Sequence, residues 1–310
     1  MTTKSDVMVS ICCATYNHEK YIAQALDGFL MQKTDFNFEV IVHDDASTDG
    51  TAGIVRAYAE ENSNSIKPIF QTENQYSKGV GIHLTYLWPN AQGKYIAQCE
   101  GDDYWTDPYK LQKQVDFMES RADCSLCVHS AELVSAITGK TLSHIKPSSY
   151  SRMFSTKEVI EGGGGLFATN SMLFLKECIK ELPPFFHTAP VGDYPLTVVL
   201  ATQGNVYFLE DSMSAYRVNT PGSWSDRMRT IPTEKIQHFE GVLKMFKDID
   251  IYTDGIYSDG IAFQELRLIL SNHNYAMACN PRYWRVYNRI SLRSITKIFL
   301  FGCLRLRRQQ

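Results

Sequence analysis

Residues Cys99 to Leu111 read C-E-G-D-D-Y-W-T-D-P-Y-K-L, and what lies on either side of them decides the fold. An apolar segment, Lys94 to Cys99 (K-Y-I-A-Q-C), runs in. Leu111, Val115 and Met118 recur beyond it at helical spacing, with Pro108 expected in the first turn. Glu100, Asp102 and Asp103 therefore belong in a tight turn at the C-terminal end of a buried strand. Neighbouring carboxylates repel, and a shared cation relieves the repulsion. Magnesium or manganese, held by one or two carboxylates plus a substrate's phosphates, is the usual form of such a site. The plainer account is an acidic surface turn capping a helix, and this stretch alone leaves both open.

The same alternation recurs upstream. Val7 to Ala14 is a β-branched and apolar run ending at Thr15-Tyr16-Asn17; Tyr21, Ile22, Ala25, Leu26, Phe29 and Leu30 follow at helical spacing. Glu39 to Val42 (E-V-I-V) is a second strand, stopped by H-D-D-A-S-T-D-G-T at 43–51. The Ser, Thr and Asp of that run are helix-capping types ahead of Ile54, Val55 and Tyr58. Ile66 to Gln71 is a third strand. A polar loop with Asn74 and Lys78-Gly79, a helix over His83 to Trp88 and a fourth strand at Tyr95 to Cys99 complete the pattern.

Strand and helix alternating at these intervals make βαβ units, hence an α/β fold on a mostly parallel sheet flanked by helices. In such sheets ligands bind beyond the carboxyl ends of the strands, at a topological switch point. Three polar clusters fall there: Thr15-Tyr16-Asn17, Asp44-Asp45 and Asp102-Asp103. No G-x-G-x-x-G follows the first strand and no Walker lysine motif is present, which disfavours dinucleotide and P-loop readings.

Farther on, Cys124 to Val134 reads as a strand and Thr138 to Tyr150 as a loop. Four glycines, Gly162 to Gly165, precede a strand over Leu166 to Leu175 that includes Thr169-Asn170-Ser171. Val206 to Leu209 is a final strand, and Pro232 to Asn280 is helical. The eight cysteines are scattered. Cys124 and Cys127 form one C-x-x-C without a second pair, so buried reduced thiols are expected rather than zinc, and His129 reads as a packed histidine. With 310 residues, 44% hydrophobic and 21% charged, the composition is ordinary globular. No leader pattern opens the chain, and no apolar run approaches the roughly 20 residues that span a bilayer, so a cytoplasmic location is expected.

The ordered set A-T-Y-N, H-D-D-A-S-T-D-G-T and E-G-D-D-Y-W-T-D-P resembles the family 2 inverting glycosyltransferases with the GT-A nucleotide-sugar fold, a Rossmann-like sheet, over Val7 to Arg217. The resemblance implies a metal-dependent transfer from a UDP-sugar to a saccharide hydroxyl. The implied setting is bacterial surface-polysaccharide assembly, such as capsule or lipopolysaccharide. Tyr16 would stack on the base, with Thr15 and Asn17 beside it, and Asp45 would accept the imide N–H of uracil. Asp102 would lie near ribose and diphosphate, and Asp103 would hold Mn2+ or Mg2+. Val191-Gly192-Asp193, ahead of Leu196, Val199 and Leu200, resembles the segment carrying the catalytic base; Asp193 equally suits a helix N-cap, with Pro195 in the first turn.

The same resemblance extends to the neighbouring loops. Ala215 to Asn219 and Pro221 to Ser225 resemble a loop closing over the diphosphate, where Arg217 would offset phosphate charge. Asn219 stands where relatives often carry a histidine, which puts a further metal ligand in doubt. Lys78, Trp105 and Asn170 are the other expected contacts to sugar, acceptor or diphosphate, the last beside the glycine run. Two rival classes fit parts of the pattern. A sugar nucleotidyltransferase usually begins with a glycine-rich loop and a basic residue, which Ala14 to Asn17 lacks. A non-catalytic nucleotide-sugar-binding protein would bind UDP without turnover.

The charge is unevenly spread. Residues 281–310 hold eight Lys/Arg and no acid, leaving −11 on residues 1–280 out of a net −3. The expected organisation is a catalytic domain over 1–220, a helical extension over 221–280 and a basic amphipathic tail over 281–310. Arg285, Arg289, Arg293 and Lys297 recur every fourth residue, with Trp284, Tyr287, Leu292, Ile295, Ile298 and Phe299 on roughly the opposite side. This pattern predicts a helix in an anionic membrane interface. Under the transfer that the resemblance implies, an acceptor such as a polyprenyl-diphosphate-linked sugar on the inner face of the cell membrane would account for it. A terminal helix packed on its own domain is the alternative. Nucleic acid is not expected as a partner, since the body is acidic and carries no binding module.

Overall fold

The computed structural model describes residues 7–220 and 232–298. They divide into two compact units. The first comprises Met1–Ser155, Gly164–Leu182 and Val199–Arg227; the second comprises Thr156–Gly163, Pro183–Val198 and Met228–Gln310.

The first unit contains the sheet. Its strands are β1 (Val7–Thr15), β2 (Asn37–Asp44), β3 (Ile66–Phe70), β4 (Tyr95–Gln98), β5 (Tyr104–Trp105), β6 (Cys124–Ser135), β7 (Thr141–Ile145), β8 (Arg152–Phe154), β9 (Leu173–Leu175) and β10 (Asn205–Val218). Their order is β3-β2-β1-β4-β9-β6-β10-β5, with β7 on β6 and β8 on β10. The β3-β2-β1-β4 half is parallel, β9 runs antiparallel to both β4 and β6, and β10 is parallel to β6.

Val9, Ile11, Cys12 and Cys13 of β1 are all buried, as a continuous apolar run in a doubly covered parallel strand should be. Helix α1 (Ile22–Leu30) buries Ile22, Ala25, Leu26 and Phe29, a stripe at helical spacing. Gly28 brings this helix onto β5: a Cβ there would stand 3.0 Å from the backbone N and O of Trp105. Helices α2 (Thr51–Glu61) and α3 (Lys110–Ser120) follow β2 and the acidic turn. The chain runs outward from β1 to β3 and returns to β4 on the other side of β1, so the switch point lies at the carboxyl ends of β1 and β4.

Several elements differ from expectation. The strand foreseen over Leu166 to Leu175 shrinks to β9, because Thr169–Ser171 is a 3-10 turn closed by the Ser171 N–H on Ala168 O at 3.0 Å. The loop foreseen at 138–150 contains β7, an exposed strand whose side chains carry no strong alternation. Helix α3 starts at Lys110 and not at Pro108, since the Pro108 carbonyl accepts Lys33 N–H at 2.8 Å and the Asp107 carboxylate takes Tyr109 N–H. Strand β10 continues to Val218, so Ala215 to Val218 is sheet rather than loop; residues 221–231 lie outside the described residues. The expected reduced thiols are present: Cys124 and Cys127 are free and buried, and His129 is packed inside β6.

The second unit is helical. It holds α4 (Thr156–Gly162), the start of α5 (Asp193–Gln203), α6 (Pro232–Tyr252), α7 (Ser258–Ser271) and α8 (Tyr275–Ala278). A 3-10 run, Pro281–Arg289, and α9 (Leu292–Lys297) follow. Ala262, Leu266, Ile269, Ala278, Tyr283, Val286 and Ile298 form its core.

The expected single amphipathic tail helix is therefore corrected. Backbone at Ile290 is extended, and Ser291 caps a new helix by accepting Ser294 N–H. Arg282 pairs with Glu265 at 2.8 Å and Arg285 with Asp259 at 2.8 Å, while Arg289 grips Glu161 with two bonds of 2.9 and 2.6 Å. Residues 281–289 thus pack on their own unit, with Glu265, Asp259 and Glu161 each meeting one of the three arginines. The Arg293 and Lys297 side chains and Phe299 lie outside the described residues.

Candidate functional site

Three loops leave the carboxyl ends of β1, β2 and β4, and backbone geometry ties the first two together. Asn17, in left-handed conformation (φ 56°), accepts Thr48 N–H at 2.8 Å on its side-chain oxygen and donates its own N–H to Ser47 Oγ at 2.9 Å. Glu19 N–H donates to Asp49, and Gly50 N–H donates back to Glu19. Asn17 is thus a loop tie. Tyr16, 41% exposed, is left standing on the rim this creates, while Thr15 closes β1 with its Oγ1 buried and without a hydrogen-bond partner among the described residues.

Asp45 is buried at the centre of the rim. Its N–H donates to Thr15 O at 3.0 Å, and its two carboxylate oxygens accept Gln75 N–H at 2.8 Å and Tyr76 N–H at 3.0 Å. The group foreseen as a base reader therefore also holds the loop after β3. Asp44 is structural, accepting Ser47 N–H at 3.2 Å. Lys78 lies in the same loop, paired with Glu73 on the surface.

The acidic turn separates its three acids. Glu100 Oε1 stands 3.3 Å from His83 Nε2, and burial lowers the His83 pKa to about 4, so that imidazole is neutral at pH 7 and the contact is not an ion pair. Asp103 is buried, with Oδ1 accepting Arg217 N–H at 2.7 Å and Oδ2 accepting Asn170 Nδ2–H at 3.2 Å. Burial, reinforced by the adjacent Asp102 charge, pushes the Asp103 carboxyl well above its ordinary range. Asp102 is half-buried, and among the described residues its carboxylate accepts no hydrogen bond. Asp102 is the acid left open.

Trp105 and Asn170 do not reach the surface. The Trp105 indole N–H donates to Asn170 O at 3.0 Å, and the Asn170 amide is held by Asp103, Ala215 O and Ser214 Oγ. Their expected ligand contacts are replaced by internal ones, because α1 and β10 close over them. Arg217 sits on β10 with its guanidinium 5.0 Å from the Tyr21 ring and 4.4 Å from Tyr104, bonded to Asp102 O and Gln24. Tyr21 is expected from the sequence only as part of a helical stripe, and Gln24, Tyr104 and His18 are not among the site residues it suggests. A Cβ on Gly101 would meet Thr15 Oγ1 at 2.6 Å and His18 Nδ1 at 3.1 Å, and that nitrogen has no partner among the described residues. Only the T-Y-N-H run hinted at His18, by continuing a polar cluster.

Asp193 belongs to the second unit, at the first position of α5, where Tyr194 N–H donates to its Oδ1 at 2.8 Å. Burial raises its pKa. The four-glycine run divides between the units. Gly163 has φ +71° with Gln264 2.8 Å from any added Cβ, whereas nothing lies near Gly165.

Among the described residues no three His, Cys, Asp or Glu side chains converge on a metal position. The donor set nonetheless fits magnesium or manganese, which take one or two protein carboxylates and complete their shells with water and phosphate oxygens. A half-buried carboxylate and two buried polar atoms at a switch point, none with a hydrogen-bond partner among the described residues, provide what such an ion needs.

A model of glycosyl transferase family 2 matches residues 10–180. The uncharacterized protein Rv1520 of Mycobacterium tuberculosis is 35% identical over 219 residues, covering 70% of this chain and 60% of that protein. The matched region thus spans about three-fifths of that relative's length. The UDP-Glc:alpha-D-GlcNAc-diphosphoundecaprenol beta-1,3-glucosyltransferase WfaP of Escherichia coli is 35% identical over 113 residues, 36% of this chain and 42% of its own. Among solved structures, S. aureus TarS in complex with UDP-GlcNAc superposes with a TM-score of 0.64 over 89% of this chain and 78% of that one, at 18% identity. That likeness is one of fold. With the ordered polar clusters placed at the switch point of a GT-A sheet, the chain belongs to glycosyl transferase family 2.

Proposed function

We propose that this glycosyltransferase is inverting and metal-assisted, taking its sugar from a UDP-sugar and passing it to a hydroxyl of a lipid-linked saccharide in bacterial surface-polysaccharide assembly. One observation carries the reading: of the adjacent pair at the switch point, the Asp102 carboxylate accepts no hydrogen bond among the described residues, while Asp103 is locked from behind. Bound UDP-GlcNAc in the TarS structure and the diphosphoundecaprenol acceptor in the name of WfaP support the choice of substrates.

In this reading Tyr16 stacks on the base, Thr15 lies beside the nucleotide, and Asp45 offers its remaining lone pairs to the base edge. Asp102 holds Mn2+ or Mg2+, and Asp103, first expected as that ligand, fixes the turn from within. The ion supplies charge neutralisation for the departing diphosphate. Arg217 adds positive charge once its stacking on Tyr21 and Tyr104 relaxes. Asp193 takes the proton of the acceptor hydroxyl as that oxygen attacks the anomeric carbon, and the C–O bond to UDP breaks on the opposite face, inverting the centre. Trp284 and Leu292, 64% and 82% exposed, are the apolar groups that would meet a membrane carrying the acceptor.

A panel of nucleotide sugars, assayed for UDP or GDP release with and without manganese, tests the proposal. UDP release from one donor, dependent on manganese and abolished in Asp193→Asn with UDP binding retained, is expected. Pyrophosphate release from UTP and a sugar phosphate would replace it with nucleotidyl transfer. UDP binding without any turnover would make the chain a binding protein.

A further inference from the structure

Lys110 opens α3 with no exposure to solvent, and among the described residues no carboxylate pairs with it. Its Nζ donates to Gln114 Oε1 at 2.7 Å and lies 4.0 Å from the centre of the Trp105 ring. A buried amine without a counter-ion is costly, and a methionine side chain would fill the same volume at no such cost. What the amine adds is direction. Gln114 is itself anchored on Cys127 O and Ser171 O, both at 2.9 Å, so the amine is held between a fixed amide and an aromatic face.

We infer that Lys110 is a positioning residue for the acidic turn, acting through Trp105 and Asn170 on the contact between Asp103 and Arg217. The inference rests on the function proposed for that turn. Its links are continuous. The ammonium orients the Trp105 ring; the indole N–H donates to Asn170 O at 3.0 Å; Ser214 Oγ donates to Asn170 Oδ1 at 2.8 Å and so orients the amide. That amide donates to Asp103 Oδ2 at 3.2 Å, whose other oxygen accepts Arg217 N–H at 2.7 Å. Every member except Arg217 is buried. With both Asp103 oxygens engaged from inside, it is Asp102 of the adjacent pair that the turn presents.

The relay has a titratable end. Burial lowers the Lys110 pKa to about 7. The titratable groups facing it are Cys99 beyond β4, Cys127 on β6 and, at longer range, His129 on β6. Burial raises both thiols and lowers the imidazole, so none of the three titrates beside the amine near pH 7. Asp103, at the far end of the relay and itself raised by burial, is told apart from the amine by comparing the wild type with Lys110→Met.

Amide NMR of the full chain tests this, with Trp105→Phe identifying the Trp105 indole signal. In the wild type the indole N–H, the Asn170 side-chain amide and the Arg217 backbone amide should titrate together near neutral pH. In Lys110→Met all three should be displaced, and the titration that the Asn170 and Arg217 signals share with the indole should be gone. If the Asn170 and Arg217 signals of the wild type do not follow the indole, the relay is refuted, and this holds whether or not the variant folds. In UDP titrations Lys110→Met should cut the manganese-dependent gain in affinity by about tenfold, as loss of outer-sphere support does, leaving the manganese-free affinity unchanged. A purely structural role would lower thermal stability and leave that gain intact. Wild type that binds no UDP would sink the proposed function, and the NMR titration would still decide the relay.

Discussion

Asp102 and Asp103 are neighbours with identical side chains, and their surroundings separate them. Asp102→Asn removes a carboxylate with no hydrogen-bond partner among the described residues, so manganese-dependent UDP binding should vanish while stability changes by less than about 0.5 kcal/mol. Asp103→Ala strands the Arg217 N–H and the Asn170 amide in the interior, at a cost of about 1–3 kcal/mol for each buried donor left unpaired. Urea denaturation and calorimetric UDP titration of both variants measure this, and the reverse pattern would return the ion to Asp103. Asp193 carries a pH prediction. Burial raises its pKa, and it acts ionised, so turnover should rise with pH along an acid limb displaced above the usual carboxylate range. A limb at ordinary carboxylate pH would count against it. For Lys110 the sign is fixed by a lowered folded pKa: from about 7 up to the ordinary 10.5 the unfolded chain binds more protons, so its contribution to stability rises with pH. Lys110→Met should therefore gain on the wild type as pH falls from 10 to 7, read from paired melting curves.

Two glycines show how the elements are held. A Cβ on Gly93 would lie 2.5 Å from Ser10 N and 2.7 Å from Val9 C, both backbone atoms of β1 beside the start of β4. Gly93→Ala should push these strands apart and cost about 1–3 kcal/mol, as overpacking does. Gly53 lies inside α2 with nothing within 4 Å of an added Cβ, so Gly53→Ala should gain about 0.5–1 kcal/mol through helix propensity and reduced unfolded-state entropy. Urea midpoints that move in the same direction for both would contradict this packing. The strands β1, β2 and β4 were legible because apolar, β-branched runs ending in polar clusters are a local signal. Strand β7 was not, since T-L-S-H-I is exposed along its length and takes its conformation from pairing with β6. The turn at Thr169–Ser171 was misread as strand for a related reason: its buried Asn170 and Ser171 are satisfied by side-chain bonds that leave no trace in periodicity.

For the molecule as a whole, the open question was what covers the basic C-terminal segment. Residues 281–289 pack on the helical unit through Tyr283 and Val286, so removing the segment would expose a core rather than merely detach a tail. Surface substitutions are the cleaner probe of membrane binding. Trp284→Ala with Leu292→Ala should reduce co-sedimentation with phosphatidylglycerol vesicles and leave the melting temperature unchanged, whereas Val286→Asp should unfold the helical unit. Equal sedimentation of the double variant and wild type would remove the membrane from the proposal. No helix among the described residues is long and apolar enough to cross a bilayer.

Sequence alone determined the family, the parallel half of the sheet and the three clusters at its switch point, because strand periodicity and the residues that stop a strand are read over a few neighbouring positions. Tertiary structure alone decided which of two adjacent acids stays open, that Trp105 and Asn170 face inward, and that Arg289 answers to Glu161. Those outcomes depend on partners 114 residues away for Asp103 and 128 for Arg289, and on burial that no local pattern encodes.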